Sequence, residues 1–157
     1  MRDVHTCLLD DHCVTVEKIL AERSLNPVFQ PIMDFRANTY LGYEGLIRGP
    51  YGTHLQRPDR LLQESRLLGL GAEMEILCLE TLLEKYAALT IPGRLFLNIS
   101  PSLLLAPYLQ EGHFLSLIKA VNLTPSRIVF ELTENQQITD LPGLLEAIAQ
   151  YRQQGFQ

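Results

Sequence analysis

Two strand-like runs stand at residues 28–32 (Val-Phe-Gln-Pro-Ile) and 40–47 (Tyr-Leu-Gly-Tyr-Glu-Gly-Leu-Ile) with only a short polar stretch between them. A helical crossover needs about a dozen residues, so this pair must be antiparallel. Every later strand is separated from its predecessor by helical pattern. The chain reads as a helix from Cys13 to Arg23, the two strands, helices from Pro58 to about Leu68 and from about Ala72 to Leu89, and a strand from Arg94 to Ile99. A short apolar helix follows through Leu105, then a helix over about Gly112–Val121, a strand over Arg127–Leu132 and a last helix from Leu141 to Gln154. Strands alternating with helices define an α/β protein with a largely parallel sheet, as an open sheet or a barrel.

Punctuation supports these boundaries. Pro31 places the first strand at a sheet edge or marks its end, and Arg36–Thr39 is a polar turn. Pro58 suits the first turn of a helix, Gly69 and Gly71 break one helix from the next, and Asp140 is an N-cap with Gly155 as the matching C′ residue. The chain stops at Gly155-Phe156-Gln157, where a further strand is expected. Residues 1–12 read as a lead-in segment and 13–157 as the folded part.

The formal net charge of −5 argues against a DNA-binding surface. No run of about 18 apolar residues is present to span a membrane. Asp10 and Asp11 interrupt any secretory apolar segment, so a cytoplasmic location is expected. Three cysteines, Cys7, Cys13 and Cys78, form no disulfide framework. Cys78 falls on an apolar helix face and reads as core. His5, Cys7, His12 and Cys13 match no common zinc spacing. His54 reads as a plain loop residue, and Leu67, Leu68, Leu70 and Leu103–Leu105 as packing residues.

Three strands carry polar groups that their apolar runs do not explain: Glu44, Asn98 and Glu131. Burying a carboxylate in such a run is costly without a cation, a donor or a metal. If the strands are neighbours, these oxygens converge near one rim, the rim where barrel chemistry sits. Such an all-oxygen set suits Mg2+, Mn2+ or Ca2+ rather than Zn2+. Taken singly, Glu44 reads as a salt-bridged or solvated residue and Asn98 as a hydrogen-bonding turn residue, so the residues alone leave both readings open.

Four segments in order, Phe29-Gln30-Pro31-Ile32, Glu44-Gly45-Leu46-Ile47-Arg48, Asn98-Ile99-Ser100 and Glu131-Leu132-Thr133-Glu134, resemble the successive signature motifs of EAL domains, over roughly residues 16–157. One departure is Gly45, where the family motif has Ala; it reads as a tolerated variant with added backbone freedom. The resemblance implies a TIM-like (β/α) barrel with an antiparallel first strand, here truncated to about its first four strands. It implies hydrolysis of cyclic di-GMP to linear pGpG with two Mg2+ or Mn2+ ions, and Ca2+ as a non-productive occupant. Carried over, Glu44, Asn98 and Glu131 are metal ligands, Gln30, Leu46 and Arg48 contact substrate, and Glu134 supports the ligands. Paired aspartates, a lysine and further groups of active domains would fall beyond Gln157. No turnover is therefore expected of this chain alone, and self-association is, because four strands cannot close a barrel of about 250 residues. A cyclic di-GMP sensor and a protein-interaction module are the alternatives, and a downstream GGDEF or sensory domain is a further expectation.

Overall fold

The computed structural model describes residues 14–133 and 140–157, Gln110 by its backbone alone. The elements are α1 (Val16–Glu22), β1 (Asn26–Asp34), β2 (Thr39–Arg48), α2 (Pro58–Leu67), α3 (Gly71–Ala88), β3 (Arg94–Ile99), α4 (Pro101–Leu104), α5 (Pro107–Gln110), α6 (His113–Ala120), β4 (Ile128–Leu132) and α7 (Leu141–Gln153). One sheet has the order β1-β2-β3-β4. β1 and β2 are antiparallel, and β2-β3 and β3-β4 are parallel. The close first pair behaves as its spacing requires.

Local chemistry sets the ends. Thr15 caps α1 by accepting from the Lys18 amide. In the hairpin turn, Asp34 accepts from the amides of Arg36 and Ala37, an Asx-type turn. Ser100 accepts from the Leu103 amide and starts α4, while Asp140 does the same for α7 through Gly143. Gly155, at φ 98°, ends the last helix where a side chain would be strained. β1 continues past Pro31 to Asp34, with a bulge between Ile32 and Met33. Pro31 is therefore an edge-strand residue rather than a strand end. Pro27 and Pro31 stand four residues apart, a spacing that lets both imide nitrogens face away from β2.

The helices cover one face of the sheet. Strand parity puts Phe29, Gly45, Ile47, Leu95, Leu97, Ile99, Ile128 and Phe130 on that side. Leu77, Leu82, Leu83 and Tyr86 of α3 meet them in the core. Phe29 packs its ring against Tyr86. Phe130 stacks on Phe156 and meets Phe114 and Tyr151, pairs worth about 0.5–1.5 kcal/mol each beyond burial. Leu103 and Leu104 are buried as expected, but Leu67 and Leu68 are 79% and 53% exposed, so the reading of these two as packing residues is corrected. Leu67 is the last residue of α2 and Leu68 its C-cap, beyond the buried Leu61 and Ser65. The turn of helix at Pro107–Gln110 has no counterpart in the sequence reading.

β4 already carries a neighbour on its outer edge. The Gln157 amide donates to the Ile128 carbonyl, and the Gln157 carbonyl accepts from the Phe130 amide, the two bonds of a parallel ladder. Extended backbone therefore begins where the sequence calls for another strand. Among the described residues, no helix is long and apolar enough to cross a membrane.

Candidate functional site

The face opposite the helices holds the candidate residues. In β2 the alternation sends Gly45 and Ile47 to the core, which leaves Glu44, Leu46 and Arg48 on the other side, half-buried. Gln30 lies directly across from Glu44 in the β1–β2 register. Phe96 pairs with Val129 and Asn98 with Glu131 between β3 and β4, and Glu44 aligns with Phe96. All six of Gln30, Glu44, Leu46, Arg48, Asn98 and Glu131 thus share one sheet face. Asn98 and Glu131 sit side by side one step nearer the C-terminal strand ends than Glu44.

A direct contact joins two of them: the Asn98 carboxamide donates from Nδ2 to Glu44 Oε1 at 2.9 Å. Burial, with the Glu44 charge as a second cause, raises the pKa of Glu131 above the ordinary carboxylate range. Two carboxylates that repel one another across a carboxamide form a donor set suited to a hard divalent cation. Among the described residues, no group of three His, Cys, Asp or Glu side chains that could hold a metal ion comes together. Arg48 commits one N–H to the Ile47 carbonyl at 2.9 Å, which holds the guanidinium at the end of β2.

Other sequence candidates fall elsewhere. His54 stands in the loop after β2 with Nε2 at 3.4 Å from Glu64 Oε2, both exposed. Cys78 packs against the core, and burial pushes its thiol up to about 12. Glu134, His5, Cys7, His12 and Cys13 lie outside the described residues. A cavity of about 160 Å3 opens on the helix side of β4, lined by Leu104, Phe130, Leu132, Ile148, Tyr151 and Phe156, away from the polar face.

Gly45 is explained by space rather than by freedom. It has no positive φ. A Cβ added there would stand 2.9 Å and 3.2 Å from the two methyls of Leu82 and 3.3 Å from Leu95 Cδ1. The added backbone freedom expected of it is not used; α3 fills the place of the missing methyl.

The profile of the EAL domain matches residues 15–157, and the chain belongs to that family. A search among curated proteins returned no match. In fold the chain is similar to the Xanthomonas citri FimX EAL domain, solved in complex with c-diGMP, with TM-score 0.76 and 12% identity over 90% of this chain and 56% of that one. It is similar to Klebsiella pneumoniae BlrP1 in a calcium and cyclic di-GMP complex, with TM-score 0.72 and 19% identity over 85% of this chain and 33% of that one. The Bacillus subtilis YkuI protein, with an EAL domain and in complex with substrate c-di-GMP and calcium, gives TM-score 0.71 and 21% identity over 91% and 37%. The chain therefore spans between 33% and 56% of the length of these solved chains. The likeness establishes the fold: the four strands are part of a TIM-like barrel, with the sheet not closed.

Proposed function

We propose that this chain supplies the first part of a cyclic di-GMP site, and that the domain built on it hydrolyses cyclic di-GMP to linear pGpG with Mg2+ or Mn2+. The observation that carries this reading is the shared face of Glu44, Asn98 and Glu131, tied by the Asn98–Glu44 hydrogen bond. Glu44 and Glu131 would hold the cations through carboxylate oxygens and Asn98 through its amide oxygen. Bound divalent ions supply charge stabilisation at phosphate and a water of lowered pKa. The chain's own groups do the rest. The planar guanidinium of Arg48, anchored on Ile47, presents its fork to a phosphate oxygen. Gln30, across from Glu44, offers an amide to the ligand's polar edge, and Leu46 an apolar surface between Glu44 and Arg48.

Two carboxylates on the described face are fewer oxygen ligands than two six-coordinate ions require. The chain alone is therefore expected to yield no pGpG with Mg2+ or Mn2+, and measurable product would overturn that half of the proposal. Calorimetry with cyclic di-GMP tests the other half: binding strengthened by Mn2+ and lost in Glu44→Gln supports it, and no binding under either condition refutes it. Binding that ignores the cation would favour a sensor. The four-stranded sheet that does not close on itself supports self-association, read by sedimentation.

A further inference from the structure

β2 ends at Arg48, and the residue after it is Gly49, which has no side chain to pack it in place. The last rung of the β1–β2 ladder sets Asn26 directly opposite Arg48. Opposed residues share a face, so Asn26 stands on the side that carries Gln30, Glu44 and Arg48. Gly49 is buried, and both of its backbone groups therefore need partners. Its N–H donates to the Gln56 carbonyl at 3.1 Å, which closes the loop leading to α2. Its carbonyl lies one residue past the ladder, and there the Asn26 carboxamide donates to it from Nδ2 at 3.1 Å. A side chain of β1 thus supplies the rung that the two backbones no longer provide. Leu55, fully buried, plugs the same loop into the core. Arg48 is in turn tied back to the Ile47 carbonyl through Nη1. Its stem is held by the residue before it and by the residue after it.

From this clasp we infer that Asn26 is a positioning residue for Arg48: its hydrogen bond to the Gly49 carbonyl fixes the end of β2, and with it the stem from which the guanidinium reaches a phosphate. Asn26 acts on the ligand only through Arg48. The inference rests on the proposed cyclic di-GMP site for its functional meaning, though not for its geometry.

The test uses the 157-residue chain and the variants Asn26→Ala, Asn26→Leu and Gln56→Ala. Leucine keeps the side-chain size without the donor. Gln56→Ala removes the bond from the Gly52 amide to Gln56 Oε1, elsewhere in the loop, and leaves both Gly49 bonds in place. The first readout is the Arg48 Nε–Hε signal in a proton–nitrogen spectrum, assigned by its loss in Arg48→Lys, with backbone signals reporting the fold. Both Asn26 variants are expected to shift this signal and to raise its mobility in relaxation measurements, and Gln56→Ala to leave it unchanged. An Arg48 signal unmoved in the Asn26 variants overturns the inference, as does an equal shift in Gln56→Ala. If one Asn26 variant does not fold, the other decides. The second readout is cyclic di-GMP affinity by calorimetry with Mn2+, expected to fall about fivefold in the Asn26 variants, the worth of one ordinary hydrogen bond. In an Arg48→Lys background the same substitutions should cause no further fall, because the group they position is gone. An undiminished fivefold loss in that background would show that Asn26 acts independently of Arg48 and overturn the inference. Absence of cyclic di-GMP binding in the wild type would count against the proposed site, while the Arg48 signal still decides the clasp.

Discussion

The Asn98 carboxamide reaches across from β3 to β2 and donates a 2.9 Å hydrogen bond to Glu44, while its own strand register sets it beside Glu131. One neutral side chain thus separates two carboxylates, donating to one and standing level with the other. Replacing it tests whether that face is arranged for a cation.

Asn98→Asp removes the donor and adds a third negative charge between Glu44 and Glu131. In buffer with chelator this variant should unfold at a lower temperature than the wild type. Mg2+ or Mn2+ at millimolar concentration should recover most of the loss, because binding to the folded state stabilises it by mass action. Thermal melts with and without cation measure this. A melting temperature indifferent to the ion would refute a cation-binding arrangement.

Glu131 gives a pH dependence of definite sign. Its carboxyl is raised in the folded chain by burial and by Glu44. The folded state therefore holds a proton that the unfolded chain has released, and stability falls as pH rises from the ordinary glutamate range through the raised folded value. Glu131→Gln abolishes this term. In metal-free buffer the variant should melt higher than the wild type at pH 7, and the gain should shrink toward zero below pH 4. A constant difference across that range would exclude the mechanism.

Cys78 has a thiol pushed up to about 12 by burial, so almost none is thiolate at pH 8. In a Cys7→Ser/Cys13→Ser background, a thiol reagent should label the native chain at least about a hundredfold more slowly than the chain in denaturant. Comparable rates would mean that the thiol is reached without unfolding.

Arg127 holds the start of β4 to the turn before β3. Its Nε donates to Gly93 O at 2.8 Å, its Nη2 donates to Ile91 O at 2.6 Å, and the guanidinium lies over the Tyr86 ring at 5.3 Å. A lysine keeps the charge and loses the fork. Arg127→Lys should therefore cost about 2 kcal/mol in urea unfolding, since several of these bonds cannot be re-formed. An unchanged urea midpoint would show that solvent replaces them without loss.

Much of this was legible in the chain because strands write two facts locally. Period-2 alternation assigns faces, so Glu44, Leu46 and Arg48 separate from Gly45 and Ile47 without any tertiary knowledge. Loop length fixed the antiparallel first pair. What alternation does not contain is the offset between neighbours. That Asn98 would lie level with Glu131 yet bond diagonally to Glu44 follows from the parallel registers alone. The turn at Pro107–Gln110 is too short for periodicity to register. Leu67 and Leu68 mislead because a leucine pair at a helix end looks the same facing core or solvent. Nothing near Arg127 in the sequence points to carbonyls more than thirty residues away, and the Gly45–Leu82 fit became visible only once α3 was laid on β2.

The sheet also has a temporal reading. Its spatial order β1-β2-β3-β4, continued by the bonds of Gln157 to β4, is the order in which a ribosome delivers the strands. Each strand after the hairpin can add to an edge already made, and none must wait for a partner encoded later. Synthesis at about 5–20 residues per second is slow beside the formation of a local hairpin or helix. Assembly of this half-barrel can therefore proceed vectorially, with the leading edge of the sheet always at the most recently synthesised strand.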